Sequence, residues 1–122
     1  MSLCIIGLAQ AVVVPAAAFT LSWTHSVEGT RWEESWRVSG HRLEIVSARV
    51  KGSGAGMEMP MDAVLADGWW TFRPARPSLK EVVLASSGAT RDGWRLCWSG
   101  GCRMLGAAPG PSITLRACRS PG

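Results

Sequence analysis

From Phe19 onward the chain alternates. Phe19, Leu21, Trp23 and His25 occupy every second position, with Thr20, Ser22, Thr24 and Ser26 between them. The same period returns at Trp32, Glu34, Trp36 and Val38, interleaved with Arg31, Glu33, Ser35 and Arg37. A period of two sends successive side chains to opposite faces of an extended chain, so both segments read as half-buried strands. A third strand is predicted over Leu43 to Val50, where the apolar phase slips between Ile45 and Val46 and marks a bulge. Ala63 to Ala66 and Trp69 to Phe72 flank Asp67-Gly68, a hairpin turn. Val82 to Ala85 and Trp94 to Trp98 flank a longer loop that closes on Asp92-Gly93. Arg103 to Leu105 and Ile113 to Leu115 bring the total to about eight short strands. Gly52 to Pro60 and Arg73 to Ser78 read as loops, and no segment past residue 18 keeps a helical period. The pattern predicts an all-β fold, a small antiparallel sandwich or barrel, preceded by an apolar N-terminal leader.

That leader is the run from Leu3 to Ala18, which carries no charge; Glu28 is the first charged side chain of the chain. It is shorter than the about 20 residues a spanning helix needs, and it ends in Ala16-Ala17-Ala18, an A-x-A-like cleavage site before Phe19. No Lys or Arg precedes it, and Pro15 interrupts it. Three readings follow: a cleaved signal peptide, an uncleaved membrane anchor, or a buried strand built on Val12-Val13-Val14. The division expected is 1–18 as signal peptide or anchor, 19–117 as β domain and 118–122 as tail. A length of 122 residues allows one such domain.

Composition adds to this picture. Hydrophobic residues make up 47%, which suits a packed core and not wholesale disorder. Seven Trp stand beside two Phe and no Tyr, and Trp serves cores, rims and stacking surfaces alike. Net charge is +4, but the basic residues lie scattered between Arg31 and Arg119 without a run, so no nucleic-acid groove is expected. Cys97 and Cys102 enclose Trp98-Ser99-Gly100-Gly101; with Ser99-Gly100 as a two-residue turn the two cysteines face each other across a hairpin, within disulfide reach. Cys118 is left over, either free or linked outside the chain.

With Glu28-Gly29 as a two-residue turn, the first hairpin would set Val27 against Thr30, His25 against Trp32, Trp23 against Glu34 and Leu21 against Trp36. His25 and Glu34 would then be diagonal neighbours on the apolar face, a carboxylate between Trp32 and Trp36 that needs a partner. That partner is His25 or an Arg from elsewhere. Such a pair either fixes strand register or presents polar groups in a Trp-lined binding pocket. His41, the other histidine, lies beyond a turn, so no metal site is expected. The glycine-rich stretch Gly52-Ser53-Gly54-Ala55-Gly56-Met57-Glu58-Met59-Pro60 lacks the Lys-Ser/Thr ending of a phosphate loop; it suits close approach to another chain or ligand. No nucleophile–base–acid set is legible, so no enzyme and no cofactor is expected.

Taken in order, His25-Ser26-Val27-Glu28, Glu34 with Trp36, Lys51-Gly52-Ser53-Gly54-Ala55-Gly56-Met57-Glu58 and Leu96-Cys97 with Cys102 resemble the domain of unknown function family 1850, over roughly Phe19 to Leu105. Members of that family are short exported bacterial proteins, often encoded beside membrane subunits and TAXI-type solute-binding proteins of tripartite ATP-independent periplasmic (TRAP) transporters. The resemblance marks His25, Glu28, Glu34 and the Gly52-to-Glu58 loop, and the binding positions expected are His25, Glu28, Glu34, Trp36, Gly52, Gly54, Gly56 and Glu58. It implies a non-enzymatic accessory protein in the periplasm or on the outer face of the inner membrane. Its partner would be a transporter membrane subunit or solute-binding protein. The second expectation is a small-molecule or metal-binding module using His25 and Glu34.

Overall fold

A computed structural model describes residues 2–7, 10–25, 29–52, 59–86 and 90–119. Among these residues there are eleven strands and no helix. In chain order they are β1 (Ser2–Ile6), β2 (Val12–Val14), β3 (Ala18–His25), β4 (Arg31–Ser39), β5 (Arg42–Lys51), β6 (Val64–Ala66), β7 (Trp69–Phe72), β8 (Glu81–Ser86), β9 (Thr90–Trp98), β10 (Gly101–Leu105) and β11 (Gly110–Cys118). They form two antiparallel sheets. The smaller has the order β2-β1-β11-β8, the larger β10-β9-β3-β4-β5-β7-β6.

The alternation read from the sequence becomes the core. Phe19, Leu21, Trp36, Leu43, Ile45, Leu96 and Leu105 of the large sheet pack in one cluster with Leu3, Ile5, Val14, Leu84, Ile113 and Leu115 of the small one. Burying a side chain of this size contributes about 1.5–3 kcal/mol, so the contact between the sheets is the main source of stability. The crossing chain ahead of β8 is tied to β5 by paired Leu43–Leu79 backbone hydrogen bonds of 2.7 and 2.8 Å.

Several turns follow the expected chemistry. Asp67 and Gly68 both have positive φ, the conformation a tight β6–β7 hairpin needs. Ser35 pairs with Ser47 and Trp36 with Ile45, which leaves Val46 as the bulged residue at the predicted phase slip. Cys97 pairs with Cys102 across β9–β10 and the two are disulfide-bonded. Val82 to Ala85 and Trp94 to Trp98, expected to flank one loop, lie in different sheets.

The N-terminal segment is built into this architecture. Residues 2–6 and 12–14, inside the stretch expected as a leader, pair with each other and with β11. Leu3, Ile5, Val14 and Ala16 are buried. Cys118 is not left over: it is bonded to Cys4, and this disulfide ties the first strand to the last.

The register of the first hairpin also differs from expectation. Trp23 faces Trp32, Leu21 faces Glu34 and Phe19 faces Trp36, a slip of two residues. A two-residue slip keeps every side chain on its face, so the apolar pattern cannot distinguish the two pairings. What separates them is ring stacking: Trp23 lies parallel to Trp32 at 6.2 Å and Phe19 parallel to Trp36 at 6.3 Å between centroids. Such aromatic cross-strand pairs favour the observed register.

Candidate functional site

Glu34 is the one carboxylate of the alternating segments on the inner face of the large sheet. It faces Leu21 on β3 and Ala48 on β5, and its side chain is only 13% exposed. A carboxylate so placed needs hydrogen bonds to offset lost hydration. Its Oε1 accepts from the indole Nε1 of Trp36 at 3.1 Å, and its Oε2 from Arg76 Nη2 at 3.0 Å. The partner is thus an Arg from elsewhere. Arg76 comes from the segment leading to β8, so the pair pins that segment to the sheet.

The backbone of His25 lies away from Glu34. It ends β3 four residues beyond Leu21, about 14 Å along the strand at roughly 3.4 Å per residue, and faces Thr90. The register slip therefore dissolves the expected His25–Glu34 diagonal. Trp36 is a core residue, 3% exposed, and its N–H is used up on Glu34. Gly52 follows β5 with a φ of +126°, and its N–H donates to Gly68 O at 3.0 Å, so it turns the chain out of the sheet beside the β6–β7 hairpin. Glu28, Gly54, Gly56 and Glu58, and the side chain of His25, lie outside the described residues. Among the described residues no three His, Cys, Asp or Glu side chains converge as metal ligands would.

The outer face of the large sheet carries a feature that motif reading missed. Thr20 faces Cys97 on one side and Ser35 on the other, and Ser35 faces Ser47, so four adjacent strands place small side chains in one row. On one flank runs Arg95, Ser22, Glu33 and Arg49; on the other Ala18, Arg37 and Glu44. Short residues between long ones leave a trough of about 560 Å³, walled also by Trp98 and the bulged Val46. Its lining is mainly apolar. A second hollow of about 480 Å³ shares Arg37 and Val46 with the first and continues past Arg73, Pro74 and Arg76.

Charge along this surface is unbalanced. Arg37 holds Glu44 at 3.0 Å, Arg49 holds Glu33 at 3.1 Å, and Arg76 holds Glu34. Arg73 donates its backbone N–H to Asp62 Oδ2 at 3.1 Å, while among the described residues its guanidinium has no ion pair and that of Arg95 reaches the sulfur of Cys102 at 3.6 Å. A sequence signal for the trough existed: Thr20, Ser35 and Ser47 are short residues at outward positions of consecutive predicted strands. Reading it required the register.

The other surface of note is the β6 edge. Among the described residues β6 pairs with β7 alone and ends the large sheet. Val64 and Leu65 are 63% and 53% exposed, and Met61 just before them is fully exposed.

No curated protein and no solved structure matches the chain. A family model does match residues 19–105, a span that takes in all seven strands of the large sheet but for the first residue of β3, and β8 of the small one. The chain accordingly belongs to the family described as Domain of unknown function (DUF1850).

Proposed function

We propose that this protein is a non-enzymatic accessory domain of the cell envelope that docks onto a membrane or solute-binding subunit of a TRAP/TAXI-type solute transporter. The observation that carries the reading is the β6 edge. Among the described residues β6 is paired on one side, with β7, and the other side of an edge strand offers its N–H and C=O groups to an incoming segment. Here the edge presents Val64 and Leu65, with Met61 beside them and no charge within the strand. The glycine-rich segment leading into it suits the close approach of another chain. Two disulfides fit an oxidising compartment such as the periplasm.

Affinity purification of the protein from envelope extracts, in several detergents, is expected to recover a transporter membrane or solute-binding subunit. Leu65→Asp, on an exposed edge strand and harmless to the core, is expected to lose that subunit. Failure to recover any transporter component with the wild-type chain overturns the proposal.

A further inference from the structure

The trough on the outer face of the large sheet has the build of a ligand site, at a place two strands removed from the β6 edge. Its volume falls within the range of small-molecule pockets, which combine an apolar lining with a few placed polar groups. Its floor is rigid. Thr20, Ser35 and Cys97 sit on paired strands in the middle of the sheet, and the β9–β10 hairpin at one end is closed by the Cys97–Cys102 disulfide. Nothing has to move for the hollow to exist, which lowers the ordering cost of filling it.

Its two ends differ in chemistry. The trough proper is walled by Ala18, Val46 and Trp98, with Thr20 and Ser35 hydroxyls as the polar groups between strands. Past Arg37 and Val46 the second hollow is lined by Arg73 and Arg76; Arg76 is paired with Glu34, and Arg73, whose backbone N–H is held by Asp62 Oδ2 at 3.1 Å, keeps a guanidinium with no ion pair among the described residues. The one acid lining this end, Glu44, is taken by both guanidinium nitrogens that Arg37 offers it, at 3.0 and 3.2 Å. A ligand lying along both hollows would therefore rest an apolar body between the strands and set an anionic head against Arg73. From this juxtaposition we infer that the outer trough binds an organic anion with an apolar body, its carboxylate-like head held by Arg73. A free amphipathic acid and an anionic lipid share that chemistry.

Calorimetry and thermal unfolding with octanoate, phosphatidylglycerol vesicles and the neutral octyl glucoside separate the cases. Saturable binding of octanoate indicates a free acid, and binding confined to the vesicles indicates a lipid. Arg73→Gln is expected to weaken either by about tenfold, the size of one charge-assisted hydrogen bond, while leaving octyl glucoside unchanged. Val46→Trp fills the trough from an exposed bulge and is expected to abolish binding while the protein stays folded. Equal binding of octanoate and octyl glucoside overturns the inference. So does an Arg73→Gln protein that binds like wild type, or the absence of saturable binding to both anionic probes.

Discussion

At the scale of single residues, Glu34 shows how a carboxylate on an apolar face is made tolerable. Its two oxygens are divided between a buried indole N–H and a half-exposed guanidinium. The indole contact matters more, because Trp36 Nε1 has no access to water once its acceptor is gone, whereas Arg76 rehydrates. Glu34→Ala is expected to cost about 1–3 kcal/mol by chemical denaturation, the penalty for one buried unpaired donor. Glu34→Gln keeps an acceptor and recovers part of the loss, and Arg76→Gln costs under about 1 kcal/mol, as partly exposed ion pairs do. In a Trp36→Phe background, Glu34→Ala should become much milder; full additivity of the two changes would refute the assigned hydrogen bond.

At the scale of elements, the two disulfides make unequal contributions from the same chemistry. Cys97 and Cys102 are 5 residues apart and close a hairpin that its own turn already forms. Cys4 and Cys118 are 114 residues apart and join strands that meet only when the whole chain has folded. Chain-entropy estimates give about 2 kcal/mol for the short loop and about 5 kcal/mol for the long one. Cys4→Ser with Cys118→Ser should therefore lower the denaturation midpoint far more than Cys97→Ser with Cys102→Ser; equal shifts would contradict this ordering. The difference also explains what was legible in the sequence. The short pair is fixed by local alternation, and so were the β6–β7 turn and the Val46 bulge. The long pair depends on β1 lying beside β11, which no local pattern encodes. The first hairpin sits between these cases: its faces were readable, but its register was not, because pairings two residues apart satisfy the same alternation. Glu34 was thus correctly seen as in need of a partner, while the partner arrived from a segment 42 positions away.

At the scale of the whole molecule, the small sheet depends on residues 2–16. β1 and β2 supply two of its four strands, and Leu3, Ile5, Val14 and Ala16 face the large sheet. The run expected as a signal peptide or anchor forms two strands whose outward residues are apolar as well: Ile6 and Val13 are both about two-fifths exposed. Composition alone does not separate a strand of that sort from an export signal. The structure makes a definite prediction. A chain starting at Phe19 loses the cover of Leu96, Leu115 and their neighbours, and is expected to lack a cooperative thermal transition, while the chain with residues 2–16 unfolds in one step. A cooperative transition in the shortened chain would show that the large sheet is stable alone.

Strands β1 and β11 run side by side in opposite directions, with Ser2 facing Cys118, and a covalent bond crosses between them. Residues 2 and 118 therefore lie at a single pole of the domain. A load applied between residues 2 and 118 would cross Ser2 and Leu3 of β1 and then pass through the Cys4–Cys118 sulfurs, bypassing the rest of both sheets. The domain hangs from that pole like a pendant from a closed ring, mechanically silent to tension in whatever tethers it, so the β6 edge and the outer trough keep their shape under strain.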